Sequence, residues 1–541
     1  MSCSAASPQH PTMTSSGQST TGLLRQRIGE ARLRELLGRV TLTAGSHATA
    51  PLEAPFSGEP IFDIPLGTAS DIEEAANRAR RAQTAWAATP FRTRAKIFLR
   101  YHDLILERQA EVLDLIQLET GKARRHAVEE DLDVAINCRH YAYHGGRELR
   151  PHRRRGALPF LTASWELHLP LGVIGFITPW NYPLALGISD AIPALLAGNA
   201  VILKPDQQTP FTALWGVDLL VQAGLPPDLF QVVTGRGREL GGPLISHVNF
   251  ICFTGSTSTG RIIATQAGER LIGCSLELGG KNPLIVLGDA HLGAAVEGAV
   301  RVCFASSGQL CISTERLYVE KRIYQPFMER FAARVRSMKL GADDSFDTEM
   351  GSLTSKDQAD KMQSHVDDAV AKGATVLAGG RRRTDLGPYF VEPTLLENVT
   401  PSMKVFAEET FGPLVSAYAF ENDDELVERA NDSCYGLNAS IWTPDTRRGR
   451  RIAARLRTGT VNINEGYKAA WGSVDAPMGG FKDSGLGRRH GVPGLLKYTE
   501  AQTVSVQRLM PIAPPAGMTE ERFARVLTFM VGMLRRIPGI R

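Results

Sequence analysis

From Val173 onwards the chain repeats one texture: a short run of β-branched and apolar residues ending at a turn, then a segment of helix length. The runs cover residues 173–178, 200–203, 231–234 and 249–253. Short continuous apolar runs fit strands buried on both faces, and strands alternating with helices form a parallel sheet flanked by helices. In such sheets ligands sit beyond the carboxyl ends of the strands. Asn181, Lys204, Gly235 and Gly255 all follow those ends, so they are expected to converge on one crevice.

The alternation resumes beyond Glu277, with strands at 284–287 and 317–320 around a helix at 292–305. A chain of 541 residues is several times a typical domain, so two or three domains are expected. The apolar fraction of 43% and charged fraction of 22% are those of ordinary folded proteins. A net charge of +4 over this length is too small to imply nucleic acid as the main partner. The basic runs 153–155, 381–383 and 447–451 lack interleaved aromatics and read as solvated faces or subunit contacts.

Seven cysteines, odd in number and never spaced Cys-x-x-Cys, point to neither a disulfide framework nor a metal site. They fit a reducing cytoplasm. Residues 1–22, rich in Ser, Thr, Pro and Gln, read as a disordered tail and lack the pattern of a secretory signal. No apolar run reaches membrane-spanning length; residues 191–203 are interrupted by Pro193, Gly198 and Asn199 and read as a buried helix followed by a buried strand.

Ser70 with Glu73 predicts a capping box for a helix over 71–88 whose inner face is Ile72, Ala75, Ala76 and Ala79. A longer helix carries Ile97, Tyr101, Leu104 and Ile105 and stops near Gly121. Residues 151–170 start basic and then alternate through Leu161, Ala163, Trp165 and Leu167, as in an exposed arm that pairs with another subunit. The segment 477–487 is too rich in glycine for a helix or strand and reads as a loop where backbone meets ligand or backbone. Over 519–537, Phe523, Val526, Leu527, Met530 and Leu534 share a helix face flanked by Arg522, Arg525, Arg535 and Arg536. This suits weak contact with an anionic membrane surface; the alternative is docking onto the protein's own surface or a partner subunit.

Three residues carry candidate chemistry. Cys311 lies in a polar, turn-like setting between Gly308-Gln309 and Ser313-Thr314, as an accessible nucleophilic thiol requires, whereas Cys303 and Cys252 fall in helix and strand patterns and read as core. Glu277, between two leucines and before Gly279-Gly280, fits a desolvated general base; its alternative is an ion pair with Lys281. Asn181, after a strand and beside Trp180, offers an amide to an oxyanion or to local backbone. The segment 253–261 lacks the Gly-x-Gly-x-x-Gly spacing and by itself reads equally as a phosphate site or a capped helix start.

Together, Pro179-Trp180-Asn181, Lys204-Pro205, Phe253 to Ser256, Glu277 to Lys281, Gly308 to Cys311, Glu409 to Pro413 and Pro477 to Gly487 resemble the aldehyde dehydrogenase superfamily, over about residues 23–506. The resemblance implies a Rossmann-like NAD(P)-binding domain (23–150 and 171–276), an α/β catalytic domain (277–494), a β oligomerisation arm (151–170 and 495–507) that builds dimers or tetramers, and a C-terminal extension (508–541). It implies a catalytic set of Cys311, Glu277, Asn181 and Lys204. Cys311 would attack a small aldehyde, Asn181 would hold the oxyanion, and Glu277 would activate water on the thioester, favouring hydrolysis over transfer to coenzyme A or phosphate. The implied cofactor set is Thr178, Pro179, Trp180, Lys204, Gln207, Gly235, Gly255, Ser256, Leu278, Gly279, Glu409 and Phe411.

Departures from the family pattern narrow the reading. Gln207 stands where NAD-preferring relatives carry Glu, so repulsion of a 2′-phosphate is lost and NADP is favoured over NAD. Arg489 replaces a usual Glu, a change expected at subunit contacts. The chain looks most like a bacterial NADP-type succinate-semialdehyde dehydrogenase branch, yet Ser189 and Ala305 stand where that activity uses carboxylate-binding arginines. Uncharged aldehydes are therefore the rival substrates, and a non-catalytic interaction protein on this fold is the alternative of another class.

Overall fold

The computed structural model describes residues 19–156, 162–508 and 511–536. Its first large sheet has six strands in the spatial order Gly485–Leu486, Gly273–Glu277, Phe250–Thr254, Val173–Ile177, Ala200–Lys204 and Phe230–Val232. All neighbours are parallel except the first pair. After Val173–Ile177 the chain builds outward on one side, then returns to place Phe250–Thr254 on the other. The strand order thus reverses between these two central strands, and a crevice opens beyond their carboxyl ends. The strands match the predicted runs to within two residues.

The second sheet has seven strands, ordered Thr375–Ala378, Thr394–Glu397, Leu414–Phe420, Thr314–Glu320, Asn282–Val286, Asn438–Trp442 and Thr460–Ile463. Only Thr375–Ala378 runs antiparallel. Alternate residues serve opposite faces: Leu284 and Val286 join one apolar cluster with Leu317 and Val319, while Ile285 joins another with Tyr318 and Ile441. Both faces are therefore dry, which explains why the sequence shows apolar runs rather than strict alternation.

The helices differ from expectation in instructive ways. The tail expected over residues 1–22 ends earlier, because Ser19 caps the helix Thr20–Ile28 by accepting the Gly22 N–H at 3.1 Å; residues 1–18 lie outside the described residues. The helix Ala69–Ala88 is capped by Thr68 with Asp71, not by Ser70 with Glu73. Buried Asp71 also accepts the Thr43 N–H, a tertiary bond that selects it as the capping carboxylate. Ile72, Ala75, Ala76 and Ala79 are buried as predicted. The single long helix expected up to Gly121 is two, Phe91–Glu107 and Gln109–Thr120, broken at Arg108, and the second ends on left-handed Gly121.

The arm is a three-stranded antiparallel sheet in which Thr162–Pro170 lies between His152–Arg155 and Thr499–Gln507; Leu161 falls outside the described residues. The glycine-rich segment holds two short strands, Phe481–Lys482 and Gly485–Leu486, which the sequence reading excluded. Gly485 pairs with Glu277, and a Cβ there would stand 2.2 Å from the Leu276 carbonyl, so only glycine permits the approach. The helix Glu520–Leu534 fully buries none of its residues, while Phe523, Leu527, Met530 and Leu534 on its apolar face are half-buried. No helix among the described residues is long and apolar enough to cross a membrane.

Phe176, 1% exposed in a central strand, packs its ring 6.2 Å from that of Tyr498, at the base of the arm strand. Phe176→Ala is expected to lower stability by about 3–5 kcal/mol, read as an earlier urea midpoint; an unchanged midpoint would contradict this packing.

Candidate active site

Three adjacent strand ends feed one cavity. Pro179-Trp180-Asn181 leaves the strand Val173–Ile177, Gly255-Ser256 leaves Phe250–Thr254, and Glu277 closes Gly273–Glu277. The cavity, about 340 Å³, is lined by these residues together with Leu278, Gly279, Cys311, Glu409 and Phe411. Thr178, Lys204, Gln207 and Gly235 do not line it. Lys204 ends the next strand, buried, with its Nζ 3.7 Å from where a Cβ on Gly237 would lie, facing the head of the helix Gly237–His247. The expected single crevice is thus extended, and Lys204 is not brought to the Cys311 cavity.

Cys311 lies before the amino end of the strand Thr314–Glu320. Ser306 and Ser307, with φ of 49° and 57°, and Gly308, with φ of 69°, form a left-handed run that turns the chain sharply after the helix Leu292–Phe304. A Cβ on Gly308 would stand 2.2 Å from the Gly412 carbonyl, so glycine lets the loop of Glu409 and Phe411 close onto the cysteine loop. Asn282 Nδ2 donates to the carbonyls of Cys311 and Ser313, both at 2.7 Å, and fixes the turn. Cys311 is half-buried, whereas Cys252 and Cys303 are buried as predicted.

The Asn181 side chain donates from Nδ2 to the Gln309 carbonyl at 3.0 Å, two residues before Cys311, and its buried Oδ1 has no partner. Glu277 is 6% exposed with Oε1 buried and unpartnered. Burial pushes its carboxyl up to about 7; the cations of Arg489, Lys497 and Arg488 oppose this, and Asp190 adds to it. The alternative pairing with Lys281 does not form, because Lys281 Nζ binds Glu315 Oε2 at 2.5 Å. Glu315 in turn accepts the Thr410 and Phe411 N–H groups. Glu409, which accepts the Gly280 N–H at 2.7 Å, is also pushed up to about 7, by burial and by Glu315.

Burial, then the charges of Glu277 and Glu409, push the Cys311 thiol up to about 12. The resting form is therefore the thiol. A cation entering beside it, or protons on the two carboxylates, moves the balance toward thiolate. Among the described residues, no group of three or more His, Cys, Asp or Glu is placed to hold a metal ion.

Arg489, the departure from the family pattern, lies inside the chain. It is 5% exposed, and its Nε donates to Asp190 Oδ1 at 2.9 Å. Two backbone bonds between Met478 and Arg489 turn this loop inward. The structure adds residues that motif reading missed: Ser355, Asp357, Gln358 and Lys361 line the cavity from the start of the helix Lys356–Ala371. Ser355 caps that helix through the Gln358 N–H, a signal present in the sequence as Ser-x-x-Gln. The sequence gives no sign that this cap faces Cys311.

Residues 42–504 match the Aldehyde dehydrogenase family. A Mycolicibacterium smegmatis protein provisionally named succinate-semialdehyde dehydrogenase [NADP(+)] is 49% identical over 509 residues, covering 94% of this chain and 98% of that one. A chloroplastic aminoaldehyde dehydrogenase of Arabidopsis thaliana is 38% identical, covering 84% and 92%. Among solved structures, a Staphylococcus aureus betaine aldehyde dehydrogenase in complex with NAD+ superposes with a TM-score of 0.83 at 32% identity, covering 90% and 97% of the two chains. An E. coli NADP dependent enzyme gives 0.83 at 34% identity, covering 88% and 99%. With the thiol, the carboxyl and the amide on one cavity and the match running through nearly the whole chain, this protein belongs to the aldehyde dehydrogenase family and is an oxidoreductase acting on aldehydes.

Proposed function

We propose that the chain oxidises a small uncharged aldehyde to its carboxylic acid, with NADP preferred over NAD, through a thiohemiacetal and a thioester on Cys311. The observation that carries this reading is the convergence of Cys311, Glu277 and Asn181 on the cavity that Ser256, Glu409 and Phe411 also line. The cofactor fits the residues present. Ser256 caps the helix Thr257–Glu269 at the cavity wall, a setting suited to a pyrophosphate, and Glu409 with Phe411 suits the nicotinamide ribose. Lys204, buried at a strand end, suits the adenosine ribose. When bound, the nicotinamide supplies the hydride acceptor.

Cys311 gives up its thiol proton to solvent as its Sγ attacks the carbonyl carbon, and the carbonyl π pair moves onto oxygen as the oxyanion. One Asn181 N–H anchors the amide on Gln309, which leaves the second N–H, with the Cys311 backbone N–H, for the oxyanion. Loss of hydride from the same carbon leaves the thioester. Glu277 Oε1, unpartnered, takes a proton from water, whose oxygen adds to the thioester; the sulfur then leaves and the acid departs.

The substrate reading rests on the walls. Ser189 donates its hydroxyl to Asp133, and Ala305 is buried, so neither position offers a cation to a substrate carboxylate. Tyr182, Leu186, Leu310, Tyr467 and Met478 form an apolar cluster against which Cys311 and Trp471 pack. Succinic semialdehyde is the second reading, supported by the name of the 49% identical relative. NADP preference is supported by Gln207 and by Arg236, which precedes the helix that Lys204 faces. The exposed strand Thr499–Gln507 supports the arm as the surface of a homodimer or homotetramer. The amphipathic helix Glu520–Leu534, followed by Arg535 and Arg536, supports weak contact with anionic membrane, and the free cysteines support a cytoplasmic location.

With NADP, kcat/KM for butanal is expected to equal or exceed that for succinic semialdehyde; a strong preference for the semialdehyde would replace the first reading by the second. Gln207→Glu is expected to lower kcat/KM for NADP about tenfold or more relative to NAD, and an unchanged ratio would remove Gln207 from the cofactor site. Glu277→Gln is expected to keep a single-turnover burst of reduced cofactor while steady turnover falls about 10²-fold or more. In the parent enzyme kcat should rise with pH through about 7 as Glu277 loses its proton. Arg489→Met removes a neighbouring positive charge and should move this limb upward; a fixed limb would assign it to another group. Val504→Lys with Val506→Lys should lower the mass seen by light scattering. Truncation after Gln507 should leave that mass unchanged and abolish pelleting with phosphatidylserine vesicles; pelleting that survives truncation would exclude the helix as the contact, and cell fractionation tests the location.

A further inference from the structure

The reaction scheme leaves unused a row of buried carboxylates on the helix Arg124–Glu148: Glu129, Glu130, Asp131 and Asp133. Three of them hold the segment that follows Asn181. Glu129 accepts the hydroxyls of Tyr182 at 3.2 Å and Tyr467 at 3.0 Å. Glu130 Oε2 accepts the backbone N–H groups of Leu184 at 2.8 Å and Ala185 at 3.2 Å. Asp133 takes the Ser189 hydroxyl at the far end of the wide π-turn Ala185–Ser189. Asp131 turns the other way, to Gln109.

Lys122 completes the arrangement. Its Nζ, 1% exposed, donates to Glu130 Oε1 at 2.7 Å and to the backbone carbonyl of Asn181 at 2.6 Å, and lies 3.7 Å from the centre of the Tyr182 ring. One ion pair therefore fixes four groups in five residues: the Asn181 carbonyl, the Tyr182 ring and the N–H groups of 184 and 185. The wide turn has no regular helical start to satisfy those groups, and π-turns of this kind recur at functional sites. A buried ion pair is a costly way to gain stability, since apolar residues of similar volume often serve as well. Its value here is geometric, because the carbonyl it grips belongs to the residue whose side chain meets the oxyanion. A displacement of about 1 Å in such a donor costs on the order of 10²-fold in rate.

We infer that Lys122 and Glu130 are a positioning pair for Asn181, holding its peptide so that the side-chain amide reaches both Gln309 and the oxyanion. This rests on the oxyanion role of Asn181 proposed above. Lys122 touches neither the cavity nor the reacting atoms; it acts through the peptide it grips.

A double-mutant cycle on the full chain tests the pair, read as kcat/KM for butanal with NADP and, without cofactor, as hydrolysis of p-nitrophenyl acetate. Asn181→Ala and Lys122→Met are each expected to lower both rates about 10²-fold, and the double variant should be no slower than the slower single. The KM for NADP should stay unchanged, and Lys122→Arg should recover part of the loss. If Lys122→Met folds poorly, Lys122→Met with Glu130→Gln removes both charges and takes its place in the cycle. Losses that multiply, or a lowered melting temperature with intact kcat/KM, would overturn the positioning role and leave the pair purely structural. Full activity of Asn181→Ala would overturn the oxyanion assignment itself, and the pair's role with it.

Discussion

The reversal of strand order between Val173–Ile177 and Phe250–Thr254 is the constraint on which the rest of the molecule depends. A sheet wound outward in both directions from a central pair leaves no crossover above that pair, so the loops after those strands stand apart and leave space between them. Pro179-Trp180-Asn181 fills one lip of that space and Gly255-Ser256 the other, with Glu277 one strand further along. The second sheet brings its amino ends, and with them Cys311, against this opening. The chemistry is therefore assembled at the seam of two sheets and belongs to neither alone.

That seam is dry, and its dryness sets the protonation of what lies in it. Glu277 and Glu409 are both pushed up to about 7, and the Cys311 thiol on the same cavity is pushed up as well, away from its reactive thiolate. Ionised carboxylates near a thiol disfavour its thiolate by the same Coulomb energy that low dielectric enlarges. Among these neighbours Arg489 opposes the shift of the thiol, and buried ion pairs fix the surrounding segments. Lys281 with Glu315 holds the loop of Glu409, Arg489 with Asp190 places a cation near Glu277, and Lys122 with Glu130 anchors the Asn181 segment. Each pair is buried, and the Glu315 and Lys122 members bind backbone groups of residues in the cavity wall.

Much of this was legible in the residues. Strand positions followed from apolar run lengths, and the core placement of Cys303 and Cys252 and the partial exposure of Cys311 followed from local texture. The expected desolvation of Glu277 followed from its flanking leucines. What was misread depended on partners distant in the chain. Thr68 and Asp71 outcompeted Ser70 and Glu73 because Asp71 also meets Thr43. The partner of Arg489 could not be read, because nothing in its neighbours announces Asp190, 299 positions earlier. Short strands formed at Phe481–Lys482 and Gly485–Leu486 because partner strands were waiting for them, despite poor local propensity.

The sequence by itself determined the class of fold, the family resemblance and the candidates for thiol, carboxyl and amide, because apolar periodicity and short ordered motifs are local properties of the chain. Tertiary structure alone decided that Lys204 stands apart from the cavity of Cys311, that Ser355, Asp357, Gln358 and Lys361 line it, and that Lys122 grips the peptide of Asn181. Those outcomes rest on burial and on bonds between elements far apart in sequence. Their energies arise only when two sheets and the helix Arg124–Glu148 exclude water together.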